Sequence, residues 1–75
     1  MEKNIDQIIT DNIKYEIEHS GKSKTEIALA IGVSKPTVSQ YCSGRAQPSL
    51  STLSKLCRFL DCSADDILNV KDLPD

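Results

Sequence analysis

The segment "GVSKPTVSQYCSG", residues 32–44, presents a short polar surface without a single carboxylate. Lys35, Ser39 and Gln40 carry hydrogen-bond donors, and Pro36 adds a rigid apolar ring. Pro36, Ser39 and Gln40 follow i, i+3, i+4 spacing, which puts them on one face if the segment is helical. Such a face suits an anionic or acceptor-rich partner, because it donates and does not repel. An ordinary solvated helix face is the bland alternative, and spacing alone does not exclude it. Other chemistries find little support. There is one His, and the three Cys (Cys42, Cys57, Cys62) form no CxxC pair, so the expectation is reduced thiols and no zinc site. No nucleophile–base pair, metal cluster or phosphate-cradling loop is recognisable, so neither an enzyme nor a cofactor is expected.

The elements that would position this face are marked by regular helix punctuation. Ile5, Ile8, Ile9, Ile13 and Ile17 recur at helical spacing and predict a first helix over about residues 5–19, with Asn4 able to cap it and Gly21 just past its end. Ser23 and Glu26 form a capping box that opens a second helix over 24–31, which Gly32 stops. Ser34 can cap a third helix over 35–42. Pro36 then falls in its first turn, where a missing N–H loses no internal bond, and Gly44 closes it. Ser49 can cap a fourth helix over 50–60, with Leu50, Leu53, Leu56, Cys57 and Leu60 on one stripe. Ser63 and Asp66 suit the start of a fifth over 64–69, where Asp65 and Asp66 favour the positive helix end. The tail 71–75 is expected to fray. No segment alternates at period two, so the expectation is an all-α, compact five-helix bundle.

With 75 residues, one domain over 1–75 is expected. No apolar run approaches the ~20 residues of a membrane span, and the start MEKNIDQ lacks the pattern of a secretion signal. A cytoplasmic protein is expected. Net charge is −2, which speaks mildly against a nucleic-acid partner, but the distribution speaks for one. Residues 1–26 hold six acids and four bases, and residues 61–75 hold five acids and one base. Between Ile27 and Leu60 stand Lys35, Arg45, Lys55 and Arg58 and no acid at all. A phosphate backbone responds to that local field.

Two short helices joined by a tight Gly-containing turn make a helix-turn-helix. Three positions enforce it: Ala28 must be small where the helices cross, Gly32 must allow the turn, and Val38 must plug the gap. Ile27, Ile31, Val33 and Tyr41 can supply the remaining apolar contacts. The string "KTEIALAIGVSKPTVSQYCSGRAQPSLSTLSKLCRFLDCSADDIL" resembles the Cro/phage-repressor (XRE) helix-turn-helix family, with the likeness running from about residue 13 to 68. It carries A-x-x-x-G-V-S, then T-V-S, then S-G-R-x-x-P-S, then a Leu-rich fourth helix.

The resemblance implies a third helix laid in the major groove of double-stranded DNA. Carried over by position, the base-reading candidates are Lys35, Pro36, Ser39 and Gln40. The phosphate candidates are Lys24, Thr25, Thr37, Ser43, Arg45 and Gln47, and Ala28, Gly32, Val38 and Gly44 are structural. Physics supports these roles independently. Gln can bond adenine twice, Lys can donate to guanine, and a Pro ring can touch a thymine methyl. The N-termini of the second and third helices offer free N–H groups to phosphates. Bland readings stand beside them: Thr37 as a helix-start residue, Arg45 as a loop cation, Lys55 and Arg58 as plain surface, His19 as a solvated residue near a helix end.

The chain departs from the family pattern in three places. Lys24 stands where Gln is frequent. Ile17 and Cys42 stand where many members pair an Arg with a Glu, so the two are expected to be apolar neighbours, and a charge at either alone should be destabilising. Leu29 and Ala30 occupy usually polar positions. The leading expectation is a small bacterial or phage transcriptional regulator, a repressor, that occupies a palindromic operator as a homodimer. The dimer would form in solution or only on DNA, through the fourth and fifth helices with Leu68, Val70 and Leu73. The rival is a protein-interaction module, antitoxin- or antirepressor-like, that keeps the fold.

Overall fold

The computed structural model describes residues 4–68. It contains helices α1 (Ile5–Glu18), α2 (Lys24–Ile31), α3 (Lys35–Ser43), α4 (Leu50–Leu60) and α5 (Ala64–Leu68), and no strand among the described residues. The all-α five-helix expectation holds. The boundaries shift by single residues. His19 is the cap of α1 and not part of it, because its backbone, at φ −96° and ψ 3°, has left the helical range. α3 continues one residue further, to Ser43. Position 69 of the expected fifth helix, the tail, and Val70 and Leu73 lie outside the described residues.

The starts are set by side-chain caps that satisfy otherwise orphaned N–H groups. Asn4 accepts from Gln7 N at 2.8 Å, Ser23 from Glu26 N at 3.0 Å, Ser34 from Thr37 N at 3.3 Å and Ser49 from Thr52 N at 3.2 Å. Glu26 reaches back to Ser23 N at 3.3 Å, completing the capping box. Ser63 and Asp66 make the same reciprocal pair at the start of α5, at 3.2 and 3.1 Å. Gly32 and Gly44 end α2 and α3 in the left-handed region, at φ 76° and 84°.

α1 packs on α3 and α5, α2 on α3 and α4, and α4 on α5. Ile13, Ile27, Ile31, Val38, Leu56 and Ile67 are fully buried between them, each worth ~1.5–3 kcal/mol of transfer free energy. Asn12 Nδ2 donates to the Ile67 carbonyl at 2.9 Å, which ties the short α5 to the middle of α1. Two stripe residues depart from expectation. Leu50 is 83% exposed and Ile5 43% exposed. Both are the first residue of their helix, so their side chains overhang the end of the bundle instead of entering it. Ile17 is buried, and half-buried Cys42 packs against the same core. Glu18 and Lys14, one residue after and three before Ile17 on α1, act on the Cys42 thiol.

Candidate nucleic-acid interface

α3 is held from behind. Val38 is wholly buried and Tyr41 nearly so, while Ala28 is buried where α2 crosses. With that side fixed, Lys35, Pro36 and Gln40 project into solvent and Ser39 is half-buried. The four base-reading candidates therefore lie on the outward side of α3. Lys35, Gln40 and Arg45 make no side-chain hydrogen bond among the described residues, so their donors remain available.

The end of α3 is a compact turn. The Gln40 carbonyl accepts from the N–H groups of Gly44, Arg45 and Ala46 at 3.0, 3.1 and 3.4 Å. Ser43 Oγ donates to that same carbonyl at 3.2 Å and accepts from Arg45 N at 3.4 Å. Gly44 serves a second purpose here: a Cβ at this position would sit 3.3 Å from the Thr10 side chain, in a conformation only glycine adopts easily. The close approach of α1 to this turn opens a polar cleft of about 420 Å³, where Ser43, Arg45 and Gln47 meet Asn4, Asp6 and Gln7. Gln47 Nε2 donates to Asp6 Oδ1 at 3.3 Å.

The phosphate candidates thus fall into distinct situations. Arg45 and Thr25 are exposed. Ser43 is occupied by its own turn. Thr37 Oγ1 bonds Ser34 Oγ at 2.8 Å and is part of the α3 cap. Lys24 is half-buried, and its Nζ donates to Ser39 Oγ at 3.4 Å, which links a phosphate candidate to a base-reading one. The sequence reading missed Asp6, because its contact with Gln47 spans 41 positions and no local spacing encodes it. Thr10 was missed for the same reason.

The three cysteines are free thiols. Burial pushes the Cys42 thiol up, against the opposing pull of Lys24. Burial likewise raises Cys57, and with the neighbouring Cys57 thiol it pushes Cys62 up to about 12. Thiols so shifted stay protonated and unreactive at neutral pH. His19 is exposed, stacked on Tyr15 with ring centroids 4.0 Å apart. Among the described residues no group of acids, His and Cys could hold a metal ion, and no helix is long and apolar enough to cross a membrane.

Two short helices crossing at Ala28, a left-handed glycine between them and a donor-rich outer side on the second define a helix-turn-helix protein, a class of DNA-binding transcription regulators. The sequence profile described as "Helix-turn-helix" matches residues 13–67, and the chain belongs to that family, in its Cro/phage-repressor branch. The fold is similar to the solution structure of the SOS-response transcriptional repressor LexA from Eubacterium rectale, with a TM-score of 0.79 and 30% sequence identity over all of this chain and 81% of that chain. Comparison with curated protein sequences gives no match.

Proposed function

We propose that this protein binds double-stranded DNA sequence-specifically and represses transcription in a bacterium or phage by occupying an operator, with α3 in the major groove. The observation that carries the reading is the two-sidedness of α3: Val38 and Tyr41 anchor it inside while Lys35, Pro36 and Gln40 stand in solvent. Its 9 residues span roughly 13 Å, a length that a groove about 12 Å wide accommodates. Lys35, Pro36, Ser39 and Gln40 read base edges. Lys24, Thr25 and Arg45 hold phosphates, and Gln47 joins them once it exchanges Asp6 for a phosphate oxygen. The hydroxyls of Thr37 and Ser43 are bonded within their own turns, so each meets a phosphate only by exchanging that bond, as Gln47 does.

One such domain contacts too few base pairs for a genomic address, and a two-fold dimer reading half-sites about 34 Å apart supplies the rest. The face proposed for the dimer is the apolar groove of about 500 Å³ between α4 and α5, lined by Leu50, Leu53, Cys57 and Leu68 with Arg58 and Asp61 at its edge. Opposite charges on one patch make it self-complementary under a two-fold axis. Selection of bound duplexes from a random pool tests the whole reading. A palindromic consensus is the expected result, and a pool that stays random at low salt would sink it.

The second reading, a protein-interaction module, draws on Leu29, which is 80% exposed on α2. Salt separates the two. Affinity for DNA falls steeply as counterions are released, whereas docking through Leu29 is nearly salt-independent.

A further inference from the structure

The geometry points to Lys24 and Ser39 as one recognition unit that selects guanine, so that Lys24, a phosphate candidate by position, also sets sequence preference. The inference rests on the DNA-binding reading of α3. It starts from the 3.4 Å contact between Lys24 Nζ and Ser39 Oγ, two half-buried residues 15 positions apart. An ammonium has three donors and no acceptor, so the Ser39 oxygen must be the accepting partner. The hydroxyl proton is thereby turned away from Lys24. Among the described residues it finds no acceptor, unlike the Ser43 hydroxyl, which donates to the Gln40 carbonyl. The pair therefore offers a base edge two adjacent donors, one from Ser39 and one from the remaining ammonium protons.

In the major groove only guanine presents two adjacent acceptors, N7 and O6. Adenine sets an N6 donor beside N7, thymine has a single acceptor, and cytosine shows a donor that a nearby cation repels. The hydrogen-bond partner of Lys24 among the described residues is a hydroxyl and not a carboxylate. Two of the three ammonium protons are left open to acceptors.

The test is a set of four proteins, wild type, Ser39→Ala, Lys24→Met and the double variant, measured against the selected operator and its single-base variants. Unchanged thermal melting shows that each variant is folded. Wild type should favour guanine at one position of each half-site by about tenfold over cytosine. Either single substitution should remove that preference, and the double substitution should remove no more than either alone, because the two groups act together. Lys24→Met should in addition lower the salt slope by about one. If Lys24→Met weakens binding to every operator variant by the same factor and the guanine preference survives, Lys24 is only a phosphate anchor and the inference is overturned while DNA binding stands. If wild type enriches no duplex at all, the DNA reading falls and takes this unit with it.

Discussion

Gln40 combines a free side chain with a fixed backbone. Its carbonyl gathers three N–H groups, so the direction in which the exposed amide leaves α3 is set before any partner arrives. Gln40→Ala should therefore alter preference at the base it meets by about 1–3 kcal/mol, seen as a change in relative affinities across operator variants. A loss equal for all variants would remove this side chain from direct readout. Arg45 is exposed in the loop after α3 and has no such geometric selectivity. Arg45→Ala should weaken binding to all sequences alike and reduce the slope of log affinity against log salt by about one, and an unchanged slope would take Arg45 off the phosphate list. Thr37→Ala belongs to another kind: its hydroxyl bonds the Ser34 cap, so the change should appear in denaturant midpoint before it appears in affinity.

At the scale of the helices, two glycines end α2 and α3 in the same left-handed conformation, yet their surroundings differ. A Cβ at Gly32 meets nothing within 4 Å, whereas one at Gly44 meets Thr10 at 3.3 Å. Gly32→Ala should cost about 1–2 kcal/mol from backbone strain alone, and Gly44→Ala should cost more because α1 must also give way. Urea unfolding of both variants checks this, and equal losses would discount the Thr10 contact. The helix ends were legible in the sequence because a Ser or Asn, its bonding partner three residues on, and a closing Gly are all local signals. Leu50 shows where that legibility stops. Periodicity assigned it to the buried stripe of α4, but burial requires a neighbour across from it, and at the first residue of the helix the bundle has ended. The Asp6–Gln47 bond was invisible for a related reason, since it exists only once α1 and the loop before α4 have been folded together. The outward side of α3 could be read early, because Val38 and Tyr41 identify the inward side by apolarity alone.

For the molecule as a whole, burial of Cys62 has a consequence at high pH. The folded thiol keeps its proton to about 12, while the unfolded one releases it near 9.0. Above that lower value the unfolded chain binds fewer protons, so stability falls as pH rises. The contribution is complete below 9.0 and disappears by about 12. Cys62→Ala should flatten the decline of the urea midpoint across this window, and an identical decline in both proteins would assign it to other groups. The groove beside Cys62 makes the proposed dimer testable: if it forms there, Leu50→Asp should raise the concentration at which a dimer sediments, and identical sedimentation of both proteins would take this groove out of the interface. A last consequence concerns how the chain opens. The Asn12 side chain grips the Ile67 carbonyl, and Ile67 is sealed against solvent, so any opening of α5 also breaks a bond to the middle of α1. Asn12→Ala should therefore speed deuterium exchange of the amide protons near the middle of α1, and an unchanged rate would discount the tie.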